Sequence, residues 1–224
     1  MKRPDRTAGT GGRALLAGAI ALISCWGAQG APVLQCGPGD IAPVQDTPSV
    51  AGAGLEWRLV RQGGGFTSPT GRTGVVGNDI AWGAGRFVAV GRHGTIVHSR
   101  DGDRWRNATH SGTSQWLEGV AWSGTHFVAV GPSGAVVRSS DGDRWVRARH
   151  VETSGSLQSV VWSGDAFVAV GWDGAVVHSR DGDRWELASV RPTTEWLNGV
   201  AWGNSRFVAV GNGGTILHSG DGDR

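Results

Sequence analysis

From residue 76 onward, apolar residues come in short runs of two to five, separated by glycine and polar residues. Such runs are too short for helices and have the length of strands. Phe127 to Val130 is apolar at every position, which predicts a strand covered on both faces. Leu117 to Trp122 (LEGVAW) precedes it, Ala135 to Arg138 follows it, and a fourth strand is predicted from Trp145. The connections between these strands, SGTH and PSG, carry the glycines that tight antiparallel turns require.

This four-strand pattern repeats. Trp82, Trp122, Trp162 and Trp202 recur every 40 residues, as do the FVAVG segments from Phe87, Phe127, Phe167 and Phe207. The DGDR segments from Asp101, Asp141, Asp181 and Asp221 keep the same interval. A period near 40 with four short strands per unit predicts an all-β β-propeller of about four four-stranded blades, or a fragment of a larger propeller. The units run 76–115, 116–155, 156–195 and 196–224, and the last ends before its expected tryptophan and fourth strand. Leu55 to Val60 (LEWRLV) resembles that fourth strand, as seen in Arg184 to Ala188, and precedes the first unit. It could therefore complete the last blade and close a ring without an exposed sheet edge.

Charge and composition divide the chain further. Residues 1–24 combine Lys2, Arg3, Arg6 and Arg13 with the apolar run Ala14 to Ile23, the pattern of an export signal. They hold a net charge of +3, so of the chain's formal +2 the other 200 residues carry −1, which removes the electrostatic basis for a nucleic-acid partner. Leu22-Ile23-Ser24-Cys25 resembles the bacterial lipobox, which implies lipidation of Cys25. Trp26, in place of aspartate, then implies the periplasmic face of the outer membrane. Cleavage after Ala28-Gln29-Gly30 is the competing reading and gives a periplasmic or extracellular protein with no anchor. Residues 25–54, with four prolines and no periodicity, read as a tether, leaving 55–224 to the propeller.

The most specific motif is Ser99-Arg100-Asp101-Gly102-Asp103-Arg104-Trp105. It returns with Ser139, Asp141, Gly142 and Trp145, then with Ser179, Asp181, Gly182 and Trp185, and in part with Ser219, Asp221 and Gly222. It resembles the Asp-box (BNR repeat) of sialidases, sortilin-type receptors and the photosystem II stability/assembly factor family of bacterial propellers, and the order of motifs resembles the last of these most. The resemblance implies a WD40/YVTN-like propeller in which these turns are structural and face away from the binding side. The usual box has one more residue before the tryptophan.

On the opposite face, the repeats differ from one another. Arg92, His93, Trp116, Trp172, Asp173 and Trp196 fall in its loops, while Asn78, Glu118, Gln158 and Asn198 share one position at the start of the first strand. A polar ring flanked by tryptophans suits a protein or peptide partner, or a glycan. The same tryptophans could equally be wedges between blades, and the polar ring could hold water. No tyrosine is present, which excludes sialidase chemistry. Glu118 and Asp173 are the only acids at the inner positions of this face, so a two-carboxylate glycosidase has few candidates. His98, His178 and His218, with Arg138 in the fourth place, fall in separate blades and do not converge as zinc ligands would. The aspartates of the DGD turns are too few and too close for a calcium loop. Arg104, Arg144, Arg184 and Arg224 beside them are read as surface ion-pair partners. The expectation is a non-catalytic binding or assembly scaffold of the cell envelope, without cofactor or metal, touching membrane only through a lipid anchor. The alternative is a carbohydrate-active propeller.

Overall fold

Each repeat folds as an antiparallel meander, because its apolar runs are joined by turns too tight for any other pairing. The computed structural model describes residues 59, 66–67, 73–74, 76–153 and 155–224. A short hairpin of β1 (Phe66–Thr67) and β2 (Thr73–Gly74) comes first. Blade one is β3 (Val76–Gly83), β4 (Arg86–Gly91), β5 (Ile96–Ser99) and β6 (Arg106–Asn107), hydrogen-bonded in that order. Blade two is β7 (Gly119–Trp122), β8 (Phe127–Gly131), β9 (Ala135–Ser139) and β10 (Val146–Arg147).

The short strand β11 (His150–Val151) crosses over to run parallel with the outer strand of the next blade. Blade three is β12 (Leu157–Trp162), β13 (Phe167–Gly171), β14 (Val176–Ser179) and β15 (Arg184–Leu187). Blade four has three strands, β16 (Leu197–Gly203), β17 (Arg206–Gly211) and β18 (Ile216–Ser219). The predicted leader with Cys25, the tether and Leu55 to Arg58 lie outside the described residues.

The first strands stand side by side at the inner edge, with β3 on β7, β7 on β12 and β12 on β16. Between consecutive sheets lies a repeated core. At the junction of blades two and three, Val128, Val130 and Val136 of one blade meet Leu157, Phe167, Ala169, Val177 and Trp185 of the next. The preceding junction is the same set displaced by 40 residues; the following one repeats it in Val168, Val170, Leu197, Phe207 and Ala209, with Val176 and Leu217 only partly buried. This explains the uniformly apolar second strand: β8 and β13 are buried along their whole length, one face on each neighbouring blade.

Among the described residues the four sheets form an open arc. The end strands β3 and β16 do not pack on each other as consecutive inner strands do. Ile80 and Trp82 at one end and Val208, Val210 and Ile216 at the other are all exposed. A four-blade closed ring, one of the two sequence expectations, is therefore not formed by these blades. Four blades that leave the circle open each turn through less than a quarter of it.

Candidate functional site

The two faces of the arc are built differently. On one lie the DGD turns, each closed by its own side chains. Ser139 Oγ donates to Asp141 Oδ1 at 2.9 Å and accepts the Gly142 N–H at 2.8 Å. The same carboxylate oxygen accepts the N–H groups of Asp143 and Arg144, both at 2.9 Å. Trp145 Nε1 donates to the Gly142 carbonyl at 3.1 Å, while the ring is fully buried against Phe127. The turns of Ser99/Asp101, Ser179/Asp181 and Ser219/Asp221 repeat the serine and carboxylate bonds.

These bonds favour the ionised carboxylate. The Arg104 and Asp103 N–H groups hold Asp101 at about 2, and the Asp223 and Arg224 N–H groups do the same for Asp221. Asp141 and Asp181 also lie below the usual carboxylate range: burial pushes each up, but the backbone N–H donors outweigh it.

The second aspartate of the turns in blades two, three and four has a role that sequence reading missed: it staples its blade to the preceding one. Asp143 accepts the backbone N–H and the hydroxyl of Thr109 at 2.9 and 2.8 Å, and Asp223 does the same for Ser189 at 2.8 and 2.6 Å. Asp183 accepts from Arg149 and faces Arg138 at 3.3 Å. Two of the periodic histidines, His98 and His178, belong to this staple. His98 lies 3.3 Å from Asp143 and His178 lies 3.6 Å from Asp223. Each thus faces the following blade across a junction. Among the turn arginines, Arg224 pairs at 3.8 Å with Asp221.

The opposite face carries the loops in which the repeats diverge. The second and third strands are joined by turns at Arg92–Gly94, Pro132–Gly134, Trp172–Gly174 and Asn212–Gly214. Two successive left-handed residues make each turn, as a tight hairpin needs. His93, Ser133 and Asp173 hold φ 56 without being glycine. Gly174 follows Asp173 because a Cβ there would stand 1.9 Å from the Thr193 carbonyl oxygen.

These turns meet the loop entering the next blade. Trp172 of blade three stacks on Trp196 at the start of blade four, with ring centroids 4.3 Å apart and planes 6° from parallel. Two junctions earlier in the arc, between blades one and two, the Arg92 guanidinium sits 4.7 Å over Trp116, and His93 meets the same indole edge-on at 6.2 Å. The tryptophans therefore bridge blades, as the wedge reading expects, yet Trp116, Trp172 and Trp196 remain 39%, 41% and 42% exposed. Beside Trp172 opens a cleft of about 400 Å³ bordered by Glu152, Thr153, Asp173 and Arg191. Arg191 donates to the Asp173 carbonyl and holds the turn.

The inner polar residues do not act as one ring. Asn78 Nδ2 donates to the Leu117 carbonyl of the next blade at 2.9 Å. Gln158 binds Ser156 at 3.2 Å, and Asn198 binds Asn212 at 2.9 Å. Gln158 and Asn198 sit where the first strand bulges, between Leu157 and Ser159 and between Leu197 and Gly199. Glu118 is half-buried, and desolvation raises its carboxyl against the opposing pull of Arg92. Asp173, its partner in any two-carboxylate reading, is exposed in blade three.

Next to Asn78 is a residue sequence reading passed over. Asp79 accepts the Val120 N–H of the neighbouring blade at 2.8 Å, and burial raises its carboxyl. Ser159 occupies the same position and accepts the Val200 N–H at 3.3 Å. The signal was there, since this position reads Asp79, Gly119, Ser159, Gly199 at intervals of 40.

No protein-family model matches the chain, and no curated protein matches it. Solved structures do. YCF48 from Cyanidioschyzon merolae matches at TM-score 0.53 and 20% identity, over 65% of this chain and 53% of that one. The computationally designed Ika4 protein matches at 0.54 and 15%, over 66% of this chain and 92% of that one. The designed Ika8 protein matches at 0.53 and 14%, over 68% of this chain and 48% of that one. This chain thus spans about half the length of YCF48. With radially arranged four-stranded sheets joined at their inner strands, these likenesses show that the chain has a β-propeller-type fold.

Proposed function

We propose that the chain is a non-catalytic binding or assembly scaffold that engages a protein or peptide through its divergent loop face. One observation carries this reading: the stacked Trp172–Trp196 pair, whose rings bridge two blades and yet stay about two-fifths exposed. A ring pair held rigid by its own stacking supplies contact area at little entropic cost. The cleft at its side, with Glu152, Asp173 and Arg191, adds polar groups that orient an extended segment.

The turn motif supports placement among the Asp-box propellers, and its motif order resembles the photosystem II stability/assembly factor family, although fold alone does not assign function. The leader supports export and a lipid anchor at Cys25 in the bacterial cell envelope, with no cofactor, metal or nucleic acid involved. Crosslinking of the full chain in envelopes tests the proposal. Protein partners recovered with the parent chain and lost with Trp172→Ala are expected. A glycan array that binds the parent and not this variant, with no protein captured, would replace this reading with the carbohydrate-binding one, for which the exposed indole faces and Asp173 are the supporting observation.

A further inference from the structure

The loop face carries two tryptophan sites built on one backbone with opposite charge. Trp116 and Trp196 hold the same repeat position, at the entry to blades two and four. Each is met by the turn of the preceding blade, Arg92–Gly94 for the first and Trp172–Gly174 for the second. The two turns have the same shape. His93 and Asp173 both hold φ 56, and a Cβ on Gly94 or Gly174 would stand 2.0 or 1.9 Å from the carbonyl oxygen of Thr113 or Thr193. What distinguishes the two sites is therefore their side chains.

At the first site the chain supplies its own cation. The Arg92 guanidinium lies 4.7 Å over the Trp116 ring, within cation–π range, and its charge pulls on the half-buried Glu118 carboxyl. At the second site Trp172 stands where Arg92 does, Asp173 where His93 does, and Glu195 where Gln115 does. The inner position runs the other way, with Asn198 in place of Glu118, but Asn198 is turned to Asn212 at 2.9 Å. The indole in the arginine's place stacks on Trp196 at 4.3 Å, and both rings stay about two-fifths exposed. A guanidinium has been exchanged for a second aromatic ring, and the groups around the pair have become acidic.

Two carboxylates border the cleft beside Trp172. Asp173 is exposed at its rim. Glu152 accepts the Leu187 N–H at 3.2 Å and lies 3.4 Å from His150, and these contacts hold its carboxyl below the usual range. The arginine of the cleft, Arg191, is turned to the Asp173 carbonyl. Ala175 and Leu187 add apolar wall. Aromatic faces, carboxylates and an apolar wall match a guanidinium or ammonium on an aliphatic stem: the methylenes lie on the wall while the charged head meets ring and acid.

Resting on the reading of this face as a protein- or peptide-binding surface, we infer that the bound segment is basic and lays an arginine or lysine on the Trp172–Trp196 stack, its charge against the Asp173 and Glu152 carboxylates. The chain already holds this arrangement once, in Arg92 on Trp116. There the site is filled from within; between blades three and four the cation comes from the partner. An acidic segment would meet like charge at the cleft and be rejected.

Selection of phage-displayed random dodecapeptides on the immobilised full-length chain tests the inference. Peptides bound by the parent and not by Trp172→Ala should be enriched in arginine and lysine. The double variant Asp173→Asn/Glu152→Gln keeps both rings and should bind a selected peptide about tenfold more weakly. On the parent chain, replacing the arginine of that peptide by neutral citrulline should weaken binding by about the same factor, and the affinity should fall as salt rises. Trp172-dependent peptides without a cationic bias would overturn the inference while leaving the peptide-binding face in place, as would binding indifferent to citrulline or to the double variant. A selection that yields no Trp172-dependent peptide would overturn both.

Discussion

The turn face and the loop face are made from the same repeats, yet they have been put to opposite uses. On the turn face every repeat carries the same serine, aspartate and glycine, and the polar groups are consumed by bonds within the turn or to the preceding blade. On the loop face, equivalent positions hold Arg92, Pro132, Trp172 and Asn212, and the larger side chains keep a third or more of their surface open. The electrostatics divide in the same way. All the described turn aspartates with a resolved shift are held below the usual carboxylate range, whereas Asp79 and Glu118, towards the other face, are pushed above it by burial. A face that satisfies itself holds shape; a face that leaves groups exposed is free to bind.

Substitutions of matched type on the two faces should separate these roles. Trp185→Ala removes a fully buried ring from the core of a blade junction and should cost about 3–5 kcal/mol in chemical denaturation. A loss below 1 kcal/mol would mean that the turn tryptophans do not hold the junctions. Asp141→Ala takes away the acceptor of two backbone N–H groups and one hydroxyl and should cost about 1 kcal/mol.

The cost of Asp141→Ala should itself depend on pH. The Asp141 carboxyl is depressed in the folded state, so its stabilisation is complete above the unfolded-state value near 4 and is lost as pH falls through the lower folded value. Denaturation curves of parent and variant should therefore converge as pH falls below about 4; a gap that widens on acidification would contradict the depressed carboxyl. Asp79 and Glu118 act in the other direction, with their contribution complete in acid and lost as pH rises through their raised values.

A small effect on stability, about 1 kcal/mol from loss of its stack on Trp196, is expected for Trp172→Ala, whose ring is 41% exposed on the loop face. Partner capture should disappear with it. A variant that unfolds instead would return Trp172 to the role of a blade wedge.

Much of this was written in the chain. Identical spacing of Trp82, Trp122, Trp162 and Trp202 and of the FVAVG runs determines four equivalent meanders, because strand length, alternation and turn type are local properties. The uniformly apolar second strand already implied cover on both faces, and the serine–aspartate turns close through bonds between residues two or three apart. What depends on contacts some 20 to 40 residues apart was decided only by the tertiary structure: the stacking of Trp172 on Trp196, the staple from Asp143 to Thr109, and the bond from Val120 to Asp79. The opening of the arc belongs to the same class. Each blade's wedge is set by side chains from two neighbouring sheets packing together, and no period read along one chain contains that angle.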